Sequence, residues 1–353
     1  MKIRSLLTAA AAACLLATSS MSSALAEKKN EFNIAWTIYV GWMPWPYAAD
    51  TGIVKKWADK YGIKINVTQI NDYVESINQY TAGKFDGVTL TNMDALTIPA
   101  AGGVDTTAII MGDYSNGNDG IVLKKGRTLA DIKGQKVNLV ELSVSHYLLA
   151  RGLSTVQLSE KDIKTVNTSD ADIVAASKST DTTAVVTWNP QLLEVKSEPG
   201  ATLVYDSSKI PGEIEDLLVV NTQTLKDNPD LAKALVGVWY ETIALMKDTS
   251  EKGKAAREAM AKLSGTDLAG FESQLKTTHM YYEPKDAAAF VTAPDLVTIM
   301  DLVRGFCFEH NLLGEKVKSK DAVGIETPTK TLGSNVKLRF DPRYMQLAAD
   351  GKL

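Results

Sequence analysis

Apolar positions recur at every second residue through Phe32, Ile34, Trp36, Ile38 and Val40, the pattern of a strand with one buried face. Residues 48–61 then read as a helix closed by Gly62, and 64–70 alternate again as a second strand. Asp72 can cap a helix carrying Val74, Ile77 and Tyr80 that stops at Gly83. A third strand is expected over 85–90, a helix over 92–101 and a fourth apolar run over 104–111. A second series follows: strand 136–141, helix 143–153, strand 163–166, helix 171–177, strand 184–187, a helix from Pro190 and a short strand 201–205. After a strand at 217–220 the pattern turns helical over 229–247, 250–263, 267–276 and 286–312. The remaining C-terminal stretch is mixed and is expected to wrap the surface.

Strand and helix in alternation imply an α/β protein with parallel-rich sheets flanked by helices. Two such series in succession imply two lobes with a cleft between them. Parallel sheets present ligand groups at the carboxyl ends of their strands, so loops 40–47, 91–94, 112–119, 141–146 and 187–191 are the places to look.

Composition narrows the setting. The 353 residues are 45% hydrophobic and 23% charged, which excludes a disordered or collagenous chain. A formal charge of −4 argues against a general nucleic-acid binder, so no nucleic acid is expected as a partner. Lys2 and Arg4, an uncharged run over 6–17 and Ala24-Leu25-Ala26 read as a secretory signal cleaved after residue 26. Cys14 only weakly resembles a lipoprotein cleavage site, because the usual leucine three residues before it is missing. The mature chain would keep one cysteine, Cys307, in an apolar stretch where burial as a small hydrophobe is the expectation. No later run reaches the length of a membrane span, and export to a periplasm follows.

The loops hold a distinctive chemistry. Five aromatics fall in the twelve positions from Trp36 to Tyr47. Trp36 lies on the apolar phase of its strand and belongs to the core, whereas Trp42, Trp45 and Tyr47 sit among Gly and Pro and could stack on a flat or cationic ligand. None of the five loops carries Lys or Arg, while Asp94, Asp113, Asp119 and Glu141 are present. An anion needs guanidinium, ammonium or a helix N-terminus, so carboxylates beside aromatics favour a cation or a donor-rich neutral molecule. Asp94 could merely cap a helix and Asp113 merely make a turn with Gly112. Glu141 is harder to dismiss, since it ends an apolar strand where a lone charge is costly.

His146, in the first turn of the next helix, reads as a cleft histidine rather than a catalytic one. Trp188 and Asn189, before Pro190, offer an opposite wall, and Asp216 lies beside the return crossing between lobes. No G-x-S-x-G, H-E-x-x-H, G-x-x-x-x-G-K or C-x-x-C occurs. The three histidines are far apart along the chain, and the stretch from Gly112 to Asp119 lacks the glutamate of an EF-hand. Neither a metal nor a cofactor is expected.

Tyr47-Ala48-Ala49-Asp50-Thr51-Gly52, Gly83-Lys84-Phe85-Asp86-Gly87 leading to Thr91-Asn92, Leu129-Ala130-Asp131-Ile132-Lys133-Gly134-Gln135-Lys136-Val137 and the Ser143-Val144-Ser145-His146 that follows carry a resemblance. The chain resembles periplasmic solute-binding proteins of ABC importers, in the sulfonate, taurine and nitrate group. Gly41-Trp42-Met43-Pro44-Trp45-Pro46-Tyr47 and Thr187-Trp188-Asn189-Pro190 are most similar to members named as urea transporter binding proteins and associated with urea or guanidine carboxylases. The resemblance implies a type II periplasmic-binding-protein fold with two hinge crossings. Residues 27–113 with 217–353 would form lobe 1, and 114–216 lobe 2.

It also implies a monomer, not an enzyme, that closes on a small molecule and docks on an inner-membrane permease. Anion-binding relatives hold their ligand with hydroxyls and amides where Glu141 precedes Ser143 here, which turns the expectation toward guanidinium over urea, sulfonate or nitrate. Trp42, Trp45, Tyr47, Asn92, Asp94 and Asp113 would then face Glu141, Ser143, His146, Trp188, Asn189 and Asp216 across the cleft. The rival readings are an enzyme similar to a eukaryotic pyrimidine-precursor synthase and a structural or adhesive exported protein. The export signal weighs against the first.

Overall fold

The computed structural model describes residues 29–314 and 316–353, so the expected signal segment 1–26 and Cys14 lie outside the described residues. In chain order the strands are β1 (Glu31–Trp36), β2 (Lys64–Gln69), β3 (Gly87–Thr91), β4 (Thr106–Ser115), β5 (Asp119–Leu123), β6 (Lys136–Leu139) and β7 (Lys164–Asn167). They continue with β8 (Ala184–Trp188), β9 (Thr202–Asp206), β10 (Glu215–Asn221), β11 (Thr278–Met280), β12 (Gly324–Glu326), β13 (Thr331–Leu332) and β14 (Val336–Phe340). Two sheets result, one ordered β13-β12-β14-β4-β10-β3-β1-β2 with β11 also on β4, the other β7-β6-β8-β5-β9. Both are flanked by helices, the α/β architecture that the alternation implies.

In the larger sheet β1 lies parallel to β2 and β3, as a βα series requires. β10 enters antiparallel between β3 and β4. In the smaller sheet β6 is parallel to β7 and β8, while β5 is antiparallel to β8 and β9. The chain passes from the larger sheet to the smaller between Ser115 and Asp119, and returns between Asp206 and Glu215. These crossings bring the end of β4 and the starts of β5 and β10 to one place. Asp216 pairs with Asp113 in the β10–β4 register.

Local signals explain most elements. Asp72 accepts the Glu75 N–H at 2.8 Å and starts the helix Tyr73–Thr81. The amphipathic run 229–247 forms the helix Pro229–Lys247, burying Leu231, Leu235 and Trp239. Several expectations change, among them the helix 48–61, which is two, Pro44–Asp50 and Ile53–Lys60. The first strand stops at Trp36, because Pro44 opens a helix, Pro44–Asp50, a few residues on. Residues 112–119 are not one loop: β4 runs on to Ser115 and β5 begins at Asp119, fully buried on both faces and so without alternation. The expected helix 286–312 is two, Pro284–Thr292 and Pro294–Glu309, because Pro294 supplies no N–H to continue the first. The C-terminal stretch joins the larger sheet, with β14 parallel to β4, instead of wrapping the surface. Among the described residues no helix is long and apolar enough to cross a membrane.

Candidate functional site

Side chains from both sheets enclose a cavity of about 20 Å³ where the crossings meet the ends of β3 and β8. A single water centre needs about 10–15 Å³, so the space suits a solute of only a few heavy atoms. Aromatic rings form its wall. Tyr39 and Trp42 follow β1, Tyr73 opens its helix after β2, and Trp188 ends β8. Trp42 stacks on Tyr73 with centroids 5.9 Å apart, and Tyr73 meets the edge of Trp188 at 5.5 Å. Thr91, Val144 and Ile214 complete the wall. Two carboxylates reach the space, Asp119 at the start of β5 and Asp216 on β10, and among the described residues no Lys, Arg or His lines it.

Two further carboxylates stand directly behind the rings. Tyr39 Oη donates to Asp113 Oδ1 at 2.6 Å, and Tyr73 Oη donates to Asp94 Oδ2 at 2.7 Å. Thr91 Oγ1 also donates to Asp94 Oδ2, at 2.9 Å. The Val144 backbone N–H faces the same carboxylate from the other side of the cavity. Ser115 Oγ donates to Asp119 Oδ2 at 2.5 Å. Asp94 Oδ1 and Asp113 Oδ2 are buried with no protein partner. Glycine is required at position 41, because a Cβ there would lie 2.4 Å from Asp113 Oδ2 and 2.5 Å from a Tyr39 ring carbon.

Burial dominates the protonation of this cluster. It pushes Asp94 up to about 6 against hydrogen bonds from Tyr73 and Thr91 and the facing Val144 N–H. Burial lifts Asp113 to about 7 despite the hydrogen bond from Tyr39, and lifts Asp119 to about 7 despite Ser115. Asp216 is raised well above the carboxylate range, by burial first and then by Asp113 and Asp119. A carboxyl raised in the native state holds a proton that the unfolded chain releases near pH 4. Its stabilising contribution is complete below that pH and is lost as pH rises through the native value. Thermal unfolding of the protein without added solute is therefore expected at a higher temperature at pH 5.5 than at pH 8. A melting temperature that rises toward pH 8 would contradict this cluster's dominance.

The expected site residues divide. Trp42, Trp188 and Asp216 line the cavity, and Asp94 and Asp113 buttress it. The other seven have different surroundings. Trp45 is 1% exposed and packs on Trp239 with centroids 5.6 Å apart, because the helix Pro44–Asp50 turns it into the core. Tyr47, half-buried on that helix, packs against the same core. Asn92 braces the return crossing, its Nδ2 donating to Glu213 O at 3.1 Å and its Oδ1 accepting from Glu215 N at 3.2 Å. Ser143 caps the helix Val144–Thr155 and donates to Val140 O at 2.8 Å.

His146 Nδ1 accepts the Leu142 N–H at 3.1 Å, and its Nε2 contacts Glu160. Asn189 donates to Thr277 Oγ1 at 3.3 Å. Glu141 is half-buried in a turn where Leu142 takes a φ of 64°; its own N–H donates to Asn167 Oδ1 at 3.0 Å, and it is not part of the cavity lining. Tyr39, Tyr73, Thr91, Asp119, Val144 and Ile214 line the cavity without having been singled out as site residues. Tyr39 lay within the aromatic stretch and Asp119 among the loop carboxylates, so those two had a signal. Tyr73 had only its place after the Asp72 cap.

A family profile described as NMT1/THI5 like matches residues 51–251. A Brucella abortus protein named as a candidate binding protein is 22% identical over 222 residues, covering 62% of this chain and 67% of that one. Among solved structures, the alkanesulfonate-binding protein of Xanthomonas axonopodis pv. citri bound to MOPS superposes with a TM-score of 0.69 at 16% identity, covering 83% of this chain and 97% of its own. The aliphatic sulphonate-binding protein of Escherichia coli gives 0.66 at 19%, with the same coverage. The periplasmic nitrate-binding protein of Synechocystis PCC 6803 gives 0.58 at 14%, covering 92% and 99%. These likenesses carry the fold, a periplasmic-binding-protein architecture.

Proposed function

Because the chain belongs to the NMT1/THI5-like family, we propose that it is the periplasmic solute-binding component of an ABC importer and that its solute is a small nitrogen-rich cation, guanidinium first. The observation that carries the ligand class is the cavity lined by aromatic faces and the carboxylates of Asp119 and Asp216, with no basic side chain among them. Sulfonate or nitrate, named for the structural neighbours, would bring a further negative group into this acidic enclosure. Guanidinium is planar, positive and covered in N–H donors, so rings can stack on its faces and carboxylates can accept along its edge. Urea has the same shape without the charge and is the second candidate. The cavity has no place for the long substituents of larger organic cations.

Capture works by closure of two lobes, 27–113 with 217–353 and 114–216, about the two crossings. Contacts between those segments support this reading. The Tyr73 N–H donates to Asp170 Oδ1 at 3.1 Å, and Glu160 Oε2 lies 2.9 Å from His310 Nδ1. The Tyr73–Trp188 contact spans the same seam. The closed form would then present itself to a permease as a monomer. An enzymatic role has less support, because His146 is occupied by Glu160 and the Leu142 N–H and does not line the cavity.

The test is calorimetry of the purified protein, unfolded and refolded to remove any bound solute, with guanidinium, urea, nitrate and an alkanesulfonate. One-to-one binding selective for guanidinium is expected, and tighter binding of either anion would reject the reading. Glu141→Gln is expected to change guanidinium affinity by less than about threefold, since an exposed or half-exposed charge outside the site contributes little.

A further inference from the structure

Asp113 and Asp216 are cross-strand partners in the β4–β10 pairing, with their carboxyl groups close enough to repel when both are ionised. Two carboxylate anions buried side by side with no cation between them are too costly, so one of the two carries a proton. Burial and the Asp113 charge place that proton on Asp216, which reaches the cavity, while Asp113 accepts from Tyr39 Oη. Both residues are almost wholly buried, 0% and 4% exposed.

The groups facing the pair from each neighbouring element are neutral or acidic. Tyr39 approaches from the segment after β1 and Asp119 from β5. Tyr281 and Tyr282, just after β11, stand near Asp113. Glu215, beside Asp216 on β10, is itself 0% exposed with both oxygens unpartnered. Across the cavity stand Asp94 and Tyr73. None of these supplies a positive charge to replace the proton.

We infer that solute capture is an exchange, in which a cation bound between Asp119 and Asp216 expels the proton that Asp216 holds beside Asp113 to a base in solution. The inference rests on the cation reading above. The Asp216 O–H bond breaks, its electron pair stays on the carboxylate, and the incoming cation replaces the lost positive charge. The charge enclosed by the protein is thereby unchanged, which avoids burying an uncompensated ion. A neutral solute such as urea has no reason to release it.

The inference is read by titrating guanidinium chloride into the refolded protein in buffers of different ionisation enthalpy between pH 6 and 8. About one proton released per site is expected, with affinity at least about tenfold weaker at pH 6 than at pH 8, because Asp216 holds its proton well above the carboxylate range. In Asp113→Asn the side-chain amide can donate permanently to an ionised Asp216. Binding enthalpy in that variant should become independent of buffer, and affinity flat across the same range. Infrared spectra of the unmodified protein at pH 7 should show a protonated-carboxyl band that guanidinium removes. Guanidinium binding with a buffer-independent enthalpy and an unchanged band would overturn the exchange and leave the cation reading standing. Absence of any guanidinium binding would overturn that reading and the exchange together.

Discussion

Asp119→Asn is expected to weaken guanidinium by about 100-fold or more while changing urea by less than about threefold. Asp119 is the first residue of β5 and reaches the cavity with one oxygen held by Ser115 Oγ at 2.5 Å. Among the described residues no Lys, Arg or His lines the space, so a cation there relies on the carboxylates, Asp119 and Asp216 nearest to it, for charge compensation. Removing one partner of a buried ion pair costs about 3–5 kcal/mol, because the survivor is left in a poorly solvating enclosure. At about 1.4 kcal/mol per tenfold, that is two to three and a half decades of affinity. Asparagine keeps the size of the side chain and can still accept from Ser115, so the fold should hold. It also removes one of several crowded acids, and the protein without solute should melt no lower than the parent at pH 8. Calorimetry with both solutes decides the matter. Equal losses for guanidinium and urea would mean that shape, not charge, selects the ligand.

Trp45→Ala carries the second large effect, on stability and not on binding. The Trp45 indole is 1% exposed and packs at 5.6 Å on Trp239, which the helix Pro229–Lys247 buries. Truncating a fully buried aromatic removes its transfer free energy and leaves a cavity that the neighbours fill only in part, about 3–5 kcal/mol in all. Urea unfolding followed by circular dichroism should show that loss, with guanidinium affinity of the folded variant within about threefold of the parent. Trp42→Ala should lower guanidinium affinity as well as stability, since the Trp42 indole is buried and also stacks on Tyr73 at the cavity wall. A Trp45 variant that folds normally and fails to bind would place this residue back in the site.

Trp42 and Trp45 show how two neighbours in one aromatic stretch come to have different surroundings. Both sit among glycine and proline, and composition treats them alike. The turn Val40–Trp42 directs one toward the cavity, and the helix begun by Pro44 directs the other into the core three residues later. Glu141 lies outside the cavity lining for a related reason. Its strand ends at Leu139, two residues short of the position that the apolar run implied, and the turn through Leu142 keeps it out of the cavity lining. The likeness to sulfonate- and nitrate-binding structures is one of fold, and it leaves ligand charge to the side chains at the cleft.

Sequence by itself determined the βα order, the Asp72 cap, the helix Pro229–Lys247 and a set of acidic, aromatic strand ends free of basic residues. Periodicity, capping and charge are local, and a reader of the chain has all of them. Tertiary structure decided which acids meet. Asp113, Asp119 and Asp216 converge because β10 returns antiparallel beside β4 while β5 leaves for the other sheet. Strand register depends on pairing between distant segments, and no spacing along the chain encodes it.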